Sequence, residues 1–100
     1  MTQMGDSEPM DPLSDEELDK YGFVTSSSRR RAVVDGLRND PGTPKEIADR
    51  TGISLSHVSN ILSELADEEI VLCVNPDRKR GRVYRLTETG NRVAKKLFEE

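Results

Sequence analysis

Residues 43–65 constrain the fold more than any other stretch of the chain. Thr43 stands where a helix cap belongs, Pro44 suits the first helical position, and Glu46 completes a capping box. Ile47 and Ala48 then face inward, and Thr51-Gly52 ends the helix, since glycine adopts the left-handed conformation that follows many helices. Ser54 caps a second helix almost at once. Val58, Ile61, Leu62 and Leu65 fall at i, i+3, i+4 and i+7 and form one apolar stripe. Ser56, His57, Ser59, Asn60 and Ser63 lie off that stripe and face outward. The pattern predicts two short helices joined by a tight turn at Gly52-Ile53-Ser54, with Ile53 plugging the crease between them.

The flanking segments read as follows. Residues 1–13 hold two prolines, a glycine and three acids, a composition of disordered chain. Ser14 and Glu17 form another capping-box pair, which predicts a short helix to about Tyr21. A firmer helix begins near Ser26–Ser28, carries Ala32, Val33 and Leu37 at helical spacing, and stops at Asn39-Asp40-Pro41-Gly42. Ile70 to Val74 is short and β-branched, and residues 82–86 alternate polar and apolar, so both read as strands of a hairpin. Thr87 caps a last helix over 88–100, lined inside by Val93, Ala94 and Leu97. The predicted fold class is α+β, mostly α. It divides into an acidic, largely disordered segment 1–24 with a possible short helix, and a folded domain over 25–100.

The chain has 100 residues and a net charge of −4, a sign that disfavours a nucleic-acid partner. Its distribution reverses the inference. Residues 1–24 carry seven acids against one base, a net −6, and residues 25–100 carry 14 bases against 12 acids, a net +2. Hydrophobic residues are 33% of the chain, which implies a small core and little room for a ligand pocket. No stretch approaches the length of a membrane span and no signal peptide is visible, so the expected location is cytoplasmic.

Catalysis is not expected. The chain has no glycine-rich phosphate loop, no nucleophile beside a base, and no paired carboxylates in apolar surroundings. No cofactor is expected. No metal is expected either, because His57 is the single histidine and Cys73 the single cysteine, 16 positions apart. Cys73, inside the run Ile70-Val71-Leu72-Cys73-Val74, reads as a small buried residue.

The ordered set of motifs resembles the ArsR/MarR-type winged helix-turn-helix regulators. Thr43 to Ala48 is similar to the first helix of that motif, and Ser56 to Leu65 to its recognition helix. Ile70-Val71 matches the strand entry, with Glu69 where the family usually has glycine. Arg82 to Gly90 resembles the return strand of the wing. The resemblance covers about 60–75 residues. It implies three helices, a two-stranded β-hairpin wing and a C-terminal helix. The acidic surplus is also common among proteins of salt-loving organisms, which fits an archaeal, haloarchaeal-type source.

This reading predicts sequence-specific binding of double-stranded DNA by a transcription regulator. The recognition helix, residues 54–68, would enter the major groove and read bases with Ser54, Ser56, His57, Ser59 and Asn60. Serine and asparagine are poor helix formers, so an ordinary solvated face does not explain them. The wing, residues 75–82, would follow the phosphate backbone or enter the minor groove through Arg78, Lys79, Arg80 and Arg82, and Thr43, Lys45 and Ser63 would add backbone contacts. Arg29, Arg30 and Arg31 oppose the dipole at the start of their helix, so they call for DNA or the acidic tail as partner. A homodimer on a palindromic site is expected, with Leu18, Tyr21, Phe23, Val93, Leu97 and Phe98 as candidate interface residues. The alternative is a winged-helix module of the transcription machinery that binds protein and does not read DNA.

Overall fold

The computed structural model describes residues 12–99. The element order is α1 (Asp15–Thr25), α2 (Ser28–Gly36), α3 (Pro44–Thr51), α4 (Leu55–Asp67), β1 (Val71–Cys73), β2 (Tyr84–Leu86) and α5 (Glu88–Phe98). The disorder expected over residues 1–13 falls, for residues 1–11, outside the described residues.

Local chemistry starts every helix. Ser14, Ser27, Thr43, Ser54 and Thr87 each accept a backbone N–H of the first turn through the side-chain oxygen, satisfying a donor the helix leaves unpaired. Ser14–Glu17 and Thr43–Glu46 are complete capping boxes. The helix expected to fade near Tyr21 runs to Thr25, because Val24 and Lys20 are buried against the rest of the domain. The segment assigned to an acidic tail thus contributes its last turns to the core.

That core lies where the five helices meet the hairpin. Val24, Val33, Val34, Leu37, Ile47, Val58, Leu62, Leu65, Ile70, Val71, Leu86 and Val93 are its main members. The stripe predicted on α4 is buried as a unit. Each fully buried Val, Ile or Leu contributes about 1.5–3 kcal/mol of transfer free energy. Val93 is 0% exposed, so it belongs to this core and drops out of the candidate dimer interface. Cys73 is only half-buried, contrary to expectation. It stands near the open end of a three-residue strand, with its thiol 3.4 Å from Asn75 Oδ1.

β1 and β2 pair antiparallel, Val71 with Leu86, Leu72 with Arg85 and Cys73 with Tyr84. Both strands are shorter than the sequence suggests, leaving a longer wing loop. The exit from α4 explains the departure at Glu69. Its N–H donates to Ala66 O at 2.9 Å, and the Ile70 N–H donates to Leu65 O at 2.8 Å. This is the two-bond closure common at helix ends, with the αL position occupied by Glu69 at φ 61° in place of a glycine. Gly90 answers a different demand. A Cβ there would collide with Ile70 O, so only glycine lets α5 pack against the start of the hairpin.

Candidate nucleic-acid interface

α3 and α4 are joined by three residues. Gly52 adopts φ 77° and ψ 8°, and its N–H closes on Ala48 O, which reverses the chain within one residue. Ile53 is half-buried and packs against the core from the turn, with its N–H held by Thr51 Oγ1 at 3.2 Å. With its apolar stripe buried, α4 presents Ser54, Ser56, His57, Ser59, Asn60 and Ser63 to solvent. At about 100° per residue, Ser56 and Asn60 project furthest from the core, Ser59 flanks them on one side and His57 on the other.

A cleft separates this helix from the wing. Ser59 and Ser63 line it from α4, Lys79 and Arg82 from the wing, and Pro44 and Tyr84 contribute to its walls. The polar face of α4 and the cationic loop therefore share one side of the molecule. An isolated bridge fixes this juxtaposition. The Gly42 N–H donates to Tyr84 O at 3.0 Å and the Tyr84 N–H returns to Gly42 O at 2.8 Å, tying the wing to the residue before the α3 cap. Arg50 braces that approach from the end of α3, donating to Gly36 O, Asp40 O and Pro41 O at 2.9–3.0 Å.

The wing is ordered from within by Asn75. Its amide nitrogen donates to Gly81 O at 3.1 Å, and its Oδ1 accepts the Val83 N–H at 2.8 Å. Arg82 Nε donates to Arg78 O at 2.7 Å across the loop. Arg78, Lys79, Arg80 and Arg82 remain exposed. Neither Arg50 nor Asn75 stands out in the sequence. Asn75-Pro76 reads as a turn signal and nothing in the string shows which carbonyls it would reach.

The two capping residues at the start of α3 are engaged locally. The Thr43 N–H donates to Glu46 Oε1 at 2.8 Å, and this bond holds the Glu46 carboxyl below its ordinary pKa, with the Thr43 hydroxyl and the charge of Arg50 adding to the effect. Thr43 is half-buried and Lys45 is exposed.

The arginines opening α2 divide. Arg29 and Arg31 are exposed. Arg30 is half-buried: its guanidinium stacks 3.8 Å over the Phe23 ring, pairs with Glu64 at 3.2 Å, and donates to Phe23 O. It joins α1, α2 and α4, and it neutralises an acid on the helix that faces solvent. Phe23 is partly buried beneath it, and Phe98 lies under Arg38 at 4.7 Å. Leu18 is 46% exposed, while Tyr21 and Leu97 are partly buried.

Among the described residues no three His, Cys, Asp or Glu side chains gather as a metal site would require, and no helix is long and apolar enough to cross a membrane.

A helical domain whose second short helix pairs with an antiparallel hairpin is a winged helix-turn-helix. Residues 18–99 match the HVO_A0261 N-terminal domain family, and the chain belongs to it. Its backbone is similar to the homodimeric winged helix-turn-helix DNA-binding domain of Mb0332 from Mycobacterium bovis, described as a possible ArsR-family transcriptional regulator. The TM-score is 0.63 at 25% identity, over 90% of this chain and 84% of that one. It is also similar to Lactococcus lactis ZitR, with a TM-score of 0.63 and 26% identity over 71% of this chain and 49% of that one. The likeness to ArsR-type winged helices expected from the sequence is thus met in the fold. A 75-residue stretch is 33% identical to human cell division cycle-associated protein 7, of which this chain spans 19%.

Proposed function

We propose that this protein is a transcription regulator that binds double-stranded DNA through α4 and the wing. The observation that carries the reading is the shared cleft, in which Ser59 and Ser63 of α4 stand beside Lys79 and Arg82 of the wing. A helix placed in the major groove would then bring the wing onto the adjacent phosphates without rearrangement.

The charge pattern supports the division of labour. α4 carries no Lys or Arg, and its acids Glu64 and Asp67 lie in its second half. Phosphates are therefore met by the positive N-terminal end of the helix and by Arg78, Lys79, Arg80, Arg82 and Lys45. Ser56, His57, Ser59 and Asn60 are left to address base edges, Ser54 acts through His57, and Thr43 and Ser63 flank them as backbone contacts. Arg29 and Arg31 extend the cationic surface outside this site.

A small domain of this kind reaches useful affinity by pairing half-sites. The homodimeric state of the Mycobacterium bovis relative supports a dimer here, with Leu18, Tyr21, Phe23, Leu97 and Phe98 on the α1/α5 face as interface. The test is selection of duplexes from a random pool at two salt concentrations, followed by affinity measurement on the enriched sequence. Enrichment of a palindromic site, with affinity falling steeply with salt, is the expected result. A pool that returns unenriched at both salts would instead make the chain a protein-interaction module.

A further inference from the structure

We infer that Ser54 sets the tautomer of His57, so that the imidazole offers an Nε2–H donor to the groove and reads a purine N7. The inference rests on the DNA-binding reading above and names the chemistry of one of its contacts.

His57 Nδ1 lies 3.2 Å from Ser54 Oγ. The backbone N–H of His57 is directed at the same oxygen, at 3.4 Å, as the cap of α4. One lone pair of the hydroxyl is thus engaged by the main chain, and its hydrogen is available to donate. The atom facing it is Nδ1. Donation from Oγ–H requires Nδ1 to be the unprotonated ring nitrogen, and the ring proton then resides on Nε2. The alternative tautomer would load a second donor onto Oγ and leave the hydroxyl hydrogen to solvent.

Nε2 sits across the ring from the atom bonded to Ser54. His57 is exposed, and among the described residues no protein group bonds Nε2. The residue lies in the first turn of α4, on the flank opposite Ser59 and therefore away from the wing cleft. A lone N–H donor at this place discriminates by what the base edge offers. Purine N7 is an in-plane acceptor that Watson–Crick pairing leaves wholly free, whereas guanine O6 and thymine O4 keep only their second lone pair for the groove. Cytosine presents only a donor and is rejected. Asn60 carries both a donor and an acceptor, so it reads its own base independently.

The tautomer is measurable without DNA, because the chain has one histidine. In imidazole 15N spectra at pH 8, the wild-type protein is expected to show the Nε2–H pattern, and Ser54→Thr to retain it. Ser54→Asp keeps a helix cap but offers only acceptors, so it is expected to draw the proton to Nδ1 and reverse the pattern. The base contact is read with the enriched duplex, each purine replaced in turn by its 7-deaza analogue. At the position His57 reads, affinity is expected to fall about five- to ten-fold, the scale of a single hydrogen bond, and His57→Ala is expected to be indifferent to that replacement, which separates it from any N7 that Asn60 contacts. An Nδ1–H ring in the wild-type protein, or equal affinity for every 7-deaza duplex, overturns the inference and leaves the DNA reading intact. Failure of the wild-type chain to bind any duplex overturns the DNA reading itself, and the base assignment with it.

Discussion

Lys20 Nζ donates to the backbone oxygen of Glu68 at 2.6 Å, so a lysine of α1 closes the C-terminal end of α4. The residue is buried at 9% exposure, and Nζ also lies 3.8 Å from Glu68 Oε1. Carbonyls at a helix end have no intrahelical partner, and a cation there also meets the negative end of the dipole. The single base of an acidic segment is thus a structural element of the candidate interface. Lys20→Met is expected to leave that carbonyl unpaired and cost about 2 kcal/mol. Thermal unfolding followed by circular dichroism should show the midpoint fall by roughly 8–16 °C. A change under about 2 °C would show that Lys20 contributes nothing as a cap.

Glu69 holds the left-handed conformation at the end of the same helix, at φ 61°. A side chain there strains the backbone by about 1–2 kcal/mol, partly offset by the extra freedom glycine has when unfolded. Glu69→Gly is expected to stabilise the domain by about 1 kcal/mol. Urea titration with an unchanged slope and a higher midpoint is the signature to seek.

Changing Arg78, Lys79 and Arg80 together to alanine should weaken binding to all duplexes alike. The slope of log affinity against log salt should flatten by about 0.9 for each phosphate that the variant no longer neutralises. Asn75→Ala tests the scaffold of the same loop, since its amide holds Gly81 O and Val83 N–H. It should reduce affinity while every cation is retained. Wild-type affinity in both variants would remove the wing from the interface.

Changing Asn60 to alanine should act differently, because amide contacts to adenine carry sequence and not charge. Preference for the enriched site over a scrambled one should fall by about 1–3 kcal/mol at one base pair, with the salt slope unaltered. Equal loss on both duplexes would mean that Asn60 is not a reader.

Glu17 ties α1 to α5. The Ser14 backbone N–H, then the hydrogen bond from Arg92 at 2.7 Å, hold its carboxyl below the ordinary value of 4.5. A group with a depressed folded pKa stabilises the fold above its unfolded pKa, and the contribution disappears as pH falls through the folded value. Stability measured between pH 6 and pH 3 should therefore decline at the acid end, and Glu17→Gln should remove part of that decline. An unchanged acid slope in the variant would show that the pair is not coupled to folding.

Much of the architecture is legible in the sequence. Thr43, Pro44 and Glu46, then Gly52 and Ser54, prescribe helix ends by local hydrogen bonding and backbone sterics, which act over three or four residues. The stripe from Val58 to Leu65 names the buried face of α4, and so its polar face, by period alone. The α1 boundary, the half-exposed Cys73 and the wholly buried Val93 depart from what the sequence suggests, because burial depends on what packs across from a residue.

Thr43 to Leu65 thus determined on its own that two capped helices meet at a tight turn with a serine-rich face outward. Tertiary structure decided what stands beside that face: the Gly42–Tyr84 bridge, the Arg50 brace and the Asn75 loop bring the cations to it, Lys20 is drawn inside, and Arg30 is turned onto Phe23 and Glu64. The reason is range. Caps and periodicity are settled between neighbours in the chain, whereas these contacts join residues far apart in sequence, whose meeting depends on how the whole core closes.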